Sequence, residues 1–162
     1  MKKTLKFSLL LSLLLCCVGC DQATKSAAKK LLSSSVPIPF LNGFIRFEYV
    51  ENPGVFLSLG AELTVGFRFL LFVIFAGALL ALMPLLVIKG SNLKPAQLIG
   101  LALLTGGGVG NLIDRIINNG QVIDFVSIGL GSIRTGIFNM ADVAVMAGAM
   151  ILIAGLIMHK ET

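Results

Sequence analysis

The chain is poor in charged residues and in histidine. Only 13% of its 162 residues are charged and 56% are hydrophobic, whereas a water-soluble protein of this length needs more charged side chains to cover its surface. The composition indicates an integral membrane protein of one domain. The single histidine, His159, stands three residues before the last position. This argues against Ser-His-Asp or Cys-His catalysis and against a histidine-ligated metal site.

Cysteine is confined to one place. Cys16, Cys17 and Cys20 all lie in the first apolar run, whereas a disulfide framework spreads its cysteines through polar loops and a zinc site needs further ligands. At least two of them are most simply small apolar residues. The net charge of +5 does not indicate a nucleic-acid partner, because the lysines form no polar module and membrane topology accounts for them better.

Four apolar segments predict the fold class. We expect an all-α membrane core of four transmembrane helices with a small extramembrane β-sheet on the outer, periplasmic face, and a single domain over residues 1–162. A spanning helix needs roughly 20 apolar residues. The spans are therefore expected at about 7–24, 69–88, 96–113 and 137–158, with outer loops at about 25–68 and 114–136.

The distribution of charge predicts the orientation of these spans. Four spans place both termini on one side of the membrane, and seven of the eight acidic residues then fall on the other side, Glu161 being the exception. Lys25, Lys29 and Lys30 weaken a count of basic residues, because they follow the first segment closely. We expect cytoplasmic termini, with the basic residues Lys2, Lys3, Lys6, Lys89, Lys94 and Lys160 on that side.

The two outer connections carry strand patterns. FIRFEYVENPG (44–54) alternates large apolar and polar side chains and ends in a Pro-Gly turn. INNGQVIDFVSIG (117–129) has an Asn-Gly turn followed by a second alternating stretch. These two stretches predict the extramembrane sheet.

The end of the first apolar run raises a question of processing. Basic residues and a short apolar core lead to Val18, Gly19 and Cys20, an order typical of the signal on a bacterial lipoprotein precursor, in which the cysteine is lipidated. The alternative is that DQATK (21–25) is the top of a helix that is retained, since the stretch DQATKSAAKK consists mostly of good helix formers.

Polar side chains at membrane depth are costly and normally face a cavity or a partner. Three segments contain such residues: GNLIDR (110–115), VIDF (122–125) and FNMAD (138–142). Asn111 shares a helix face with Asp114 and Arg115, which follow it by three and four residues, and Asn139 and Asp142 repeat the first spacing on the fourth span.

Asp124 lies on the connection between the third and fourth spans. If those helices pack side by side, Asp124 and Asp142 come within reach of each other, and two half-buried carboxyls then share one proton. Such a pair can deprotonate a water molecule for attack on a carbonyl and protonate the leaving amine. This is the chemistry of an aspartic peptidase, which needs no metal, histidine or cofactor.

Simpler roles remain open for the same residues. Asp114 beside Arg115 is more typical of a structural ion pair, and Asp142 near a helix N-terminus is favoured there by the helix dipole alone. Asp124 in an alternating strand would usually face solvent. The remaining acids of the first outer loop are most simply solvated: Glu48, Glu51 and Glu62.

Five blocks resemble lipoprotein signal peptidase, the type II signal peptidase family of bacteria. They occur in the family's order and extend from residue 21 to residue 142: DQATK, ENPG, GNLIDR, VIDF and FNMAD. The resemblance implies a membrane aspartic peptidase of the bacterial inner membrane that removes the signal peptide from diacylglyceryl-modified prolipoproteins, just before the lipidated cysteine. It also implies contact with membrane lipid and inhibition by the cyclic peptide globomycin.

The resemblance assigns roles to named positions. Its catalytic pair corresponds to Asp124 and Asp142. Its supporting residues correspond to Asp21, Lys25, Asn52, Gly54, Asn111, Asp114, Arg115 and Asn139. The residue types fit such support. Asp21 and Lys25 are spaced to pair on one helix face, Asn52 could bind the scissile carbonyl, and Arg115 could hold Asp114 or a lipid phosphate. The family retains DQATK, which implies that Cys20 lies inside an uncleaved span.

Two stretches depart from the family pattern. Leu57 stands where an aromatic residue is usual, and residues 126–137 lack the aromatic and proline residues common there. Neither departure involves the aspartate pair, but both concern the shape of the substrate cleft.

Two other classes of function compete with the peptidase. A small transporter or channel could use the intramembrane acids to carry protons or ions, although the chain has no inverted repeat. A lipoprotein-like scaffold cut at Cys20 would have no activity of its own.

Overall fold

The computed structural model describes residues 3–34, 36–54, 60–89 and 93–157. Lys2, Leu57, His159, Lys160 and Glu161 therefore lie outside the described residues. Within those ranges, four helical segments are long and apolar enough to cross a membrane. Each of the four predicted spans coincides with one of them, and a small antiparallel sheet accompanies them, so the predicted fold class is confirmed.

The helices run beyond most of the predicted limits. Helix α1 covers Lys3–Leu32, eight residues past the predicted end, because the segment after Cys20 continues the helix. The second span consists of α2 (Val65–Phe69), a π-helical segment (Leu70–Phe75) and α3 (Ala76–Lys89). The remaining helices are α4 (Pro95–Ile117) and α5 (Met140–Ile157).

The extramembrane sheet has four antiparallel strands in the order β1-β2-β3-β4. The two predicted stretches contain β2 (Ile45–Asn52) and β3 (Val122–Leu130), and two short strands, β1 (Ile38–Phe40) and β4 (Ile133–Arg134), flank them. Asn119 and Gly120 both have positive φ, as an Asn-Gly turn requires. The register of β2 on β3 shifts between Phe47 and Val50, which marks a β-bulge close to Asp124.

Helix α4 lies among the other helices, and its glycines allow their close approach. A Cβ atom on Gly106 would lie 2.8 Å from Cβ of Cys17 in α1, and a Cβ atom on Gly108 would lie 2.6 Å from Leu80 in α3. A Cβ atom on Gly107 would collide with the carbonyl oxygen of Ala141 in α5. The glycine run thus leaves room for one helix to pack closely against three neighbours.

Gly107→Ala is expected to destabilise the protein by about 1–3 kcal/mol, because the added methyl group overpacks the α4–α5 contact. Gly19→Ala is the matched control, since it is also a helical glycine but has no atom within 4 Å of an added Cβ. It should be neutral or stabilising by up to about 1 kcal/mol. Thermal unfolding in detergent measures both, and equal stability of the two variants would contradict the packing role of Gly107.

Candidate active site

The predicted site residues converge where the sheet meets one end of the helix bundle. Strand β3 supplies Asp124, the start of α5 supplies Asn139 and Asp142, and the last turns of α4 supply Asn111, Asp114 and Arg115. Helix α1 supplies Asp21 and Lys25, β2 ends at Asn52, and Gly54 lies in the turn that follows. The structure therefore brings all ten predicted residues together.

Asp124 is held between two side-chain amides. Its Oδ2 accepts a hydrogen bond of 2.9 Å from Nδ2 of Asn52, and its Oδ1 accepts one of 2.6 Å from Nδ2 of Asn139. The residue is only 3% exposed. Burial raises the pKa of Asp124 to about 6, and the charge of Asp142 adds to this, whereas the two amide hydrogen bonds act in the opposite direction.

Asp142 forms a reciprocal cap with Asn139 at the start of α5. The main-chain N–H of Asp142 donates to Oδ1 of Asn139 at 2.9 Å, and Asp142 Oδ2 accepts the main-chain N–H of Asn139 at 3.2 Å. Its other oxygen, Oδ1, accepts a hydrogen bond of 2.9 Å from Nδ2 of Asn111. The capping role considered for Asp142 is therefore present, and the carboxyl also takes part in the polar network of the site.

Two asparagines connect the aspartates. Nδ2 of Asn139 lies 2.6 Å from Asp124 and 3.2 Å from Oδ1 of Asn111, and Asn111 in turn donates to Asp142. Asn139 also donates to the carbonyl oxygen of Ile123 at 3.2 Å. The two carboxyls are thus fixed by one chain of amides from β3 through α4 to α5, which restricts their rotamers.

A buried group of charges supports this chain of amides. Nζ of Lys25 lies 2.8 Å from Asp21 and 3.0 Å from Asp114, and it donates to Oδ1 of Asn111 at 2.9 Å. The three charged residues are at most 3% exposed. Asp21 also accepts the N–H of Ala141 at 2.9 Å, so the group links α1, α4 and the start of α5.

Arg115 has a different partner from the one expected. Asp114 binds Lys25 and the N–H of Ile123, so the expected ion pair between Asp114 and Arg115 is wrong. Arg115 instead donates to the carbonyl oxygens of Gly54 at 2.6 Å and Asn111 at 3.3 Å. Its guanidinium carbon lies 5.5 Å from the ring centroid of Phe72. A buried lysine is the better placed cation for Asp114, and Arg115 holds the turn after β2.

Asn52 is engaged within the protein. Its Nδ2 donates to Asp124, and its Oδ1 accepts the N–H of Gly54 at 2.9 Å. The amide expected to bind a substrate carbonyl therefore positions Asp124 and closes the local turn.

Gln22 was missed by the sequence analysis. Its Nε2 donates to Asp114 at 2.9 Å, to the carbonyl oxygen of Gly110 at 3.2 Å and to Asp21 at 3.3 Å. A glutamine on a helix is usually solvated, and its partners are up to 92 positions away in the sequence. Its place beside Asp21 in DQATK is the only signal that pointed to it.

The aspartates line a cavity of about 950 Å³ beneath the sheet. Its wall is mostly apolar and comes from α3, α4 and α5, including Leu79, Met83, Leu104, Val145 and Met150. Among the described residues, no group of three or more His, Cys, Asp or Glu is arranged to hold a metal ion. The cavity combines an apolar wall with two convergent carboxyls, an arrangement suited to an apolar substrate and acid–base chemistry.

Lys25→Met is expected to destabilise the protein by about 3–5 kcal/mol, because it leaves two buried carboxylates without a counter-ion. Lys29→Met lies one turn later on the same helix at an exposed position, and it should change stability by less than about 0.5 kcal/mol. Thermal unfolding in detergent compares them. Adding Asp21→Asn and Asp114→Asn to Lys25→Met should recover part of the loss, and a triple variant as unstable as the single one would count against the charge argument.

Asp124→Asn is expected to change how stability depends on pH. The folded protein binds the Asp124 proton more tightly than the unfolded chain, because the pKa rises from 3.8 to about 6. The resulting stabilisation is present below about pH 4 and is lost as the pH rises to about 6. Relative to wild type, Asp124→Asn should therefore gain up to about 3 kcal/mol over this interval.

Unfolding temperatures of wild type, Asp124→Asn and the exposed control Glu62→Gln, measured from about pH 4 to about pH 8, check this dependence. Asp124→Asn also loses one hydrogen bond, which lowers its unfolding temperature by a similar amount at every pH. The test therefore lies in how the difference between the two curves changes with pH. Parallel curves for wild type and Asp124→Asn would show that Asp124 titrates normally.

Known proteins match this chain over most of its length. The family model described as signal peptidase (SPase) II matches residues 13–158. A lipoprotein signal peptidase of Desulforapulum autotrophicum is 34% identical over 144 residues, which cover 88% of each chain. One from Chlorobium phaeobacteroides is 36% identical over 141 residues and covers 82% of this chain and 80% of the relative.

Two solved structures, both described as bacterial membrane enzymes, share the fold. The first, at 2.3 Å resolution, has a TM-score of 0.81 and covers 94% of this chain and 90% of its own. The second, at 1.9 Å, has a TM-score of 0.74 and covers 92% of each chain. Both are 23% identical to this sequence, so the likeness concerns the fold alone. With the family model and the curated relatives, these findings show that the chain belongs to the signal peptidase II family and is a multi-pass protein of the bacterial inner membrane.

Proposed function

We propose that this protein is an aspartic endopeptidase that cuts diacylglyceryl-modified prolipoproteins just before the lipidated cysteine, with Asp124 and Asp142 as the catalytic pair. Membership of the signal peptidase II family makes the chain a peptidase that removes signal peptides from prolipoproteins. The observation that carries the finer proposal is that both aspartates line one cavity and are joined through Asn139 and Asn111.

One carboxyl of the pair holds the shared proton and acts as the acid, and the other acts as the base. We assign the shared proton to Asp124, because burial raises its pKa to about 6, and a substrate that excludes water from the cavity would favour the neutral form further. Asp142 then serves as the base. Both its oxygens accept N–H bonds, which fix the orientation of the carboxyl group in the cavity.

The reaction follows from that assignment. Asp142 accepts a proton from a water molecule, whose oxygen forms a bond to the scissile carbonyl carbon, while Asp124 hydrogen-bonds to the carbonyl oxygen as negative charge develops there. Collapse of the tetrahedral intermediate breaks the C–N bond, and the proton held by Asp142 passes to the leaving amine of the cysteine. Two carboxyls and one water molecule account for every atom and proton.

The supporting residues have positioning roles in this scheme. Asn52 and Asn139 fix the Asp124 carboxyl from two sides, and Asn111 fixes Asp142. Lys25 accounts for the orientation of the Asn111 amide, because its ammonium group donates to Oδ1 and leaves Nδ2 to face Asp142. Arg115 holds the carbonyl of Gly54, which keeps the turn after β2 at the rim of the cavity.

The apolar wall suits the substrate. A signal peptide is an apolar helix, and the lipidated cysteine carries acyl chains, so both fit a cavity lined by side chains of α3, α4 and α5. The strands at the other side would hold the chain extended near the cut. Globomycin, as a cyclic peptide inhibitor of this family, is expected to occupy the same cavity.

Charge supports an orientation with the site near the outer face and cytoplasmic termini. Nζ of Lys6 at the start of α1 donates to the carbonyl oxygen of Leu93 at 3.3 Å, next to Lys94. These basic residues lie at the end of the bundle opposite the site, where the positive-inside rule places the cytoplasm.

Asp124→Asn and Asp142→Asn should each reduce cleavage of a purified diacylglyceryl-modified prolipoprotein by at least about 100-fold, because each removes one partner of the acid–base pair. The changes preserve side-chain shape. Glu62→Gln, an exposed carboxyl outside the site, should cleave at the wild-type rate. Mass spectrometry of the products locates the cut, and thermal unfolding verifies that each variant is folded.

Cleavage by either aspartate variant at the wild-type rate would refute the assignment of the pair. A wild-type cut at a bond other than the one before the lipidated cysteine would refute the proposed position. Wild-type protein that leaves the precursor intact would refute the activity itself.

A further inference from the structure

The part of the sheet farthest from the aspartates has one apolar side. Directly paired residues in adjacent strands project to the same side, and the register pairs Phe40 with Ile45, Ile45 with Ile128, and Leu130 with Ile133. The side so defined consists of Ile38, Phe40, Ile45, Phe47, Val126, Ile128, Leu130 and Ile133. The opposite side includes Arg46 and Ser127, which are paired with each other.

Two contacts show which way the apolar side faces. Phe47 and Val126 pack against a buried cluster of Phe125, Ala28 and Leu32, of which the last two lie at the end of α1. Ile128 lines the cavity between the sheet and helices α3 to α5. The apolar side therefore faces the helix bundle.

Four residues on this side are exposed. Ile38 is 47% exposed, Phe40 54%, Leu130 70% and Ile133 84%, and we refer to them together as the overhang patch. The ring of Phe40 lies 6.4 Å from that of Phe47, so the patch continues the surface that packs on α1. That surface faces the bundle. The overhang patch, which continues it, therefore faces the lipid that surrounds the spanning helices.

We propose that the overhang patch binds the surface of the bilayer and rests among the lipid headgroups and upper acyl chains beside α1. Its eight-residue apolar side has no carboxylate. Lys29 and Lys30 are exposed in the last turn of α1, where their ammonium groups suit lipid phosphates. At the same end of the bundle, Ile116 and Ile117 of α4 are 63% and 69% exposed, which adds further exposed apolar side chains at that end.

This contact with lipid is separate from the peptidase activity and would give the sheet a second support. Strand β3 carries Asp124 near one end and Leu130 at the other, about 20 Å apart at the rise of an extended strand. Lipid at the far end and the bundle at the near end would then hold the sheet at two places. A polypeptide partner is less suited to the patch, because its side chains are apolar throughout and offer no hydrogen-bonding group.

The absence of tryptophan from the chain gives a direct test. Single tryptophans are introduced as Phe40→Trp and Ile133→Trp in the full-length protein, which is reconstituted in phosphatidylcholine–phosphatidylglycerol vesicles. Lipids brominated near the headgroup end of the acyl chain quench only tryptophans that contact them. Phe75→Trp, an exposed position on the second span, is the positive control, and Glu51→Trp, an exposed polar position on β2, is the negative one.

Both patch tryptophans should emit at shorter wavelength than Glu51→Trp and should lose most of their emission in brominated vesicles. Unquenched, water-like emission from both would overturn the proposal. A patch tryptophan that is not quenched by brominated lipid, but whose emission wavelength changes when an unbrominated prolipoprotein is added, would also overturn it. That result would indicate a polypeptide site. Phe40→Trp exchanges one exposed aromatic residue for another, so its folding is expected to be retained, and the unfolding temperature verifies this.

Discussion

The ammonium group of Lys25 is the contact on which the geometry of the site depends. It lies within 3.0 Å of Asp21, Asp114 and Asn111, and each of these side chains binds another element of the site. Asp21 holds the first turn of α5, Asp114 holds the main chain of β3, and Asn111 holds Asp142. One cation on α1 therefore fixes the relative positions of the two elements that carry the aspartates. A buried cluster of this kind contributes little net stability, and its value lies in the arrangement that it imposes.

The packing of α4 makes that arrangement possible. Lys25 can contact Asn111 and Asp114 only if α1 and α4 approach closely, and Gly106 and Gly110 leave room for Cys17 and Asp21 respectively. Gly107 does the same for α5. The glycine run and the charged cluster thus depend on each other. The small residues let the helices approach closely, and the polar residues fix them at the end of the bundle.

Hydropathy predicted the number of spans because each span satisfies its own backbone hydrogen bonds, whatever its neighbours do. Strands β2 and β3 were predictable for a similar reason, since alternation is local. Strands β1 and β4 have three and two residues, too few to show a period, and exist because neighbouring strands offer partners. Local spacing also suggested that Arg115 binds Asp114, whereas Lys25, 89 positions from Asp114 in the sequence, takes that place. Contacts of that range depend on helix packing, and a single sequence does not contain them.

The continuity of α1 through Cys20 links the first apolar run directly to the candidate site. The stretch Val18-Gly19-Cys20 is similar to the sequence that signal peptidase II substrates present, yet here it lies within an unbroken helix, and the next residue, Asp21, is fully buried. Presenting the bond before Cys20 as an extended chain would require α1 to unwind and Asp21 to leave both Lys25 and Ala141. Local unfolding at this point would therefore also break the contacts that hold the charged cluster of the site together.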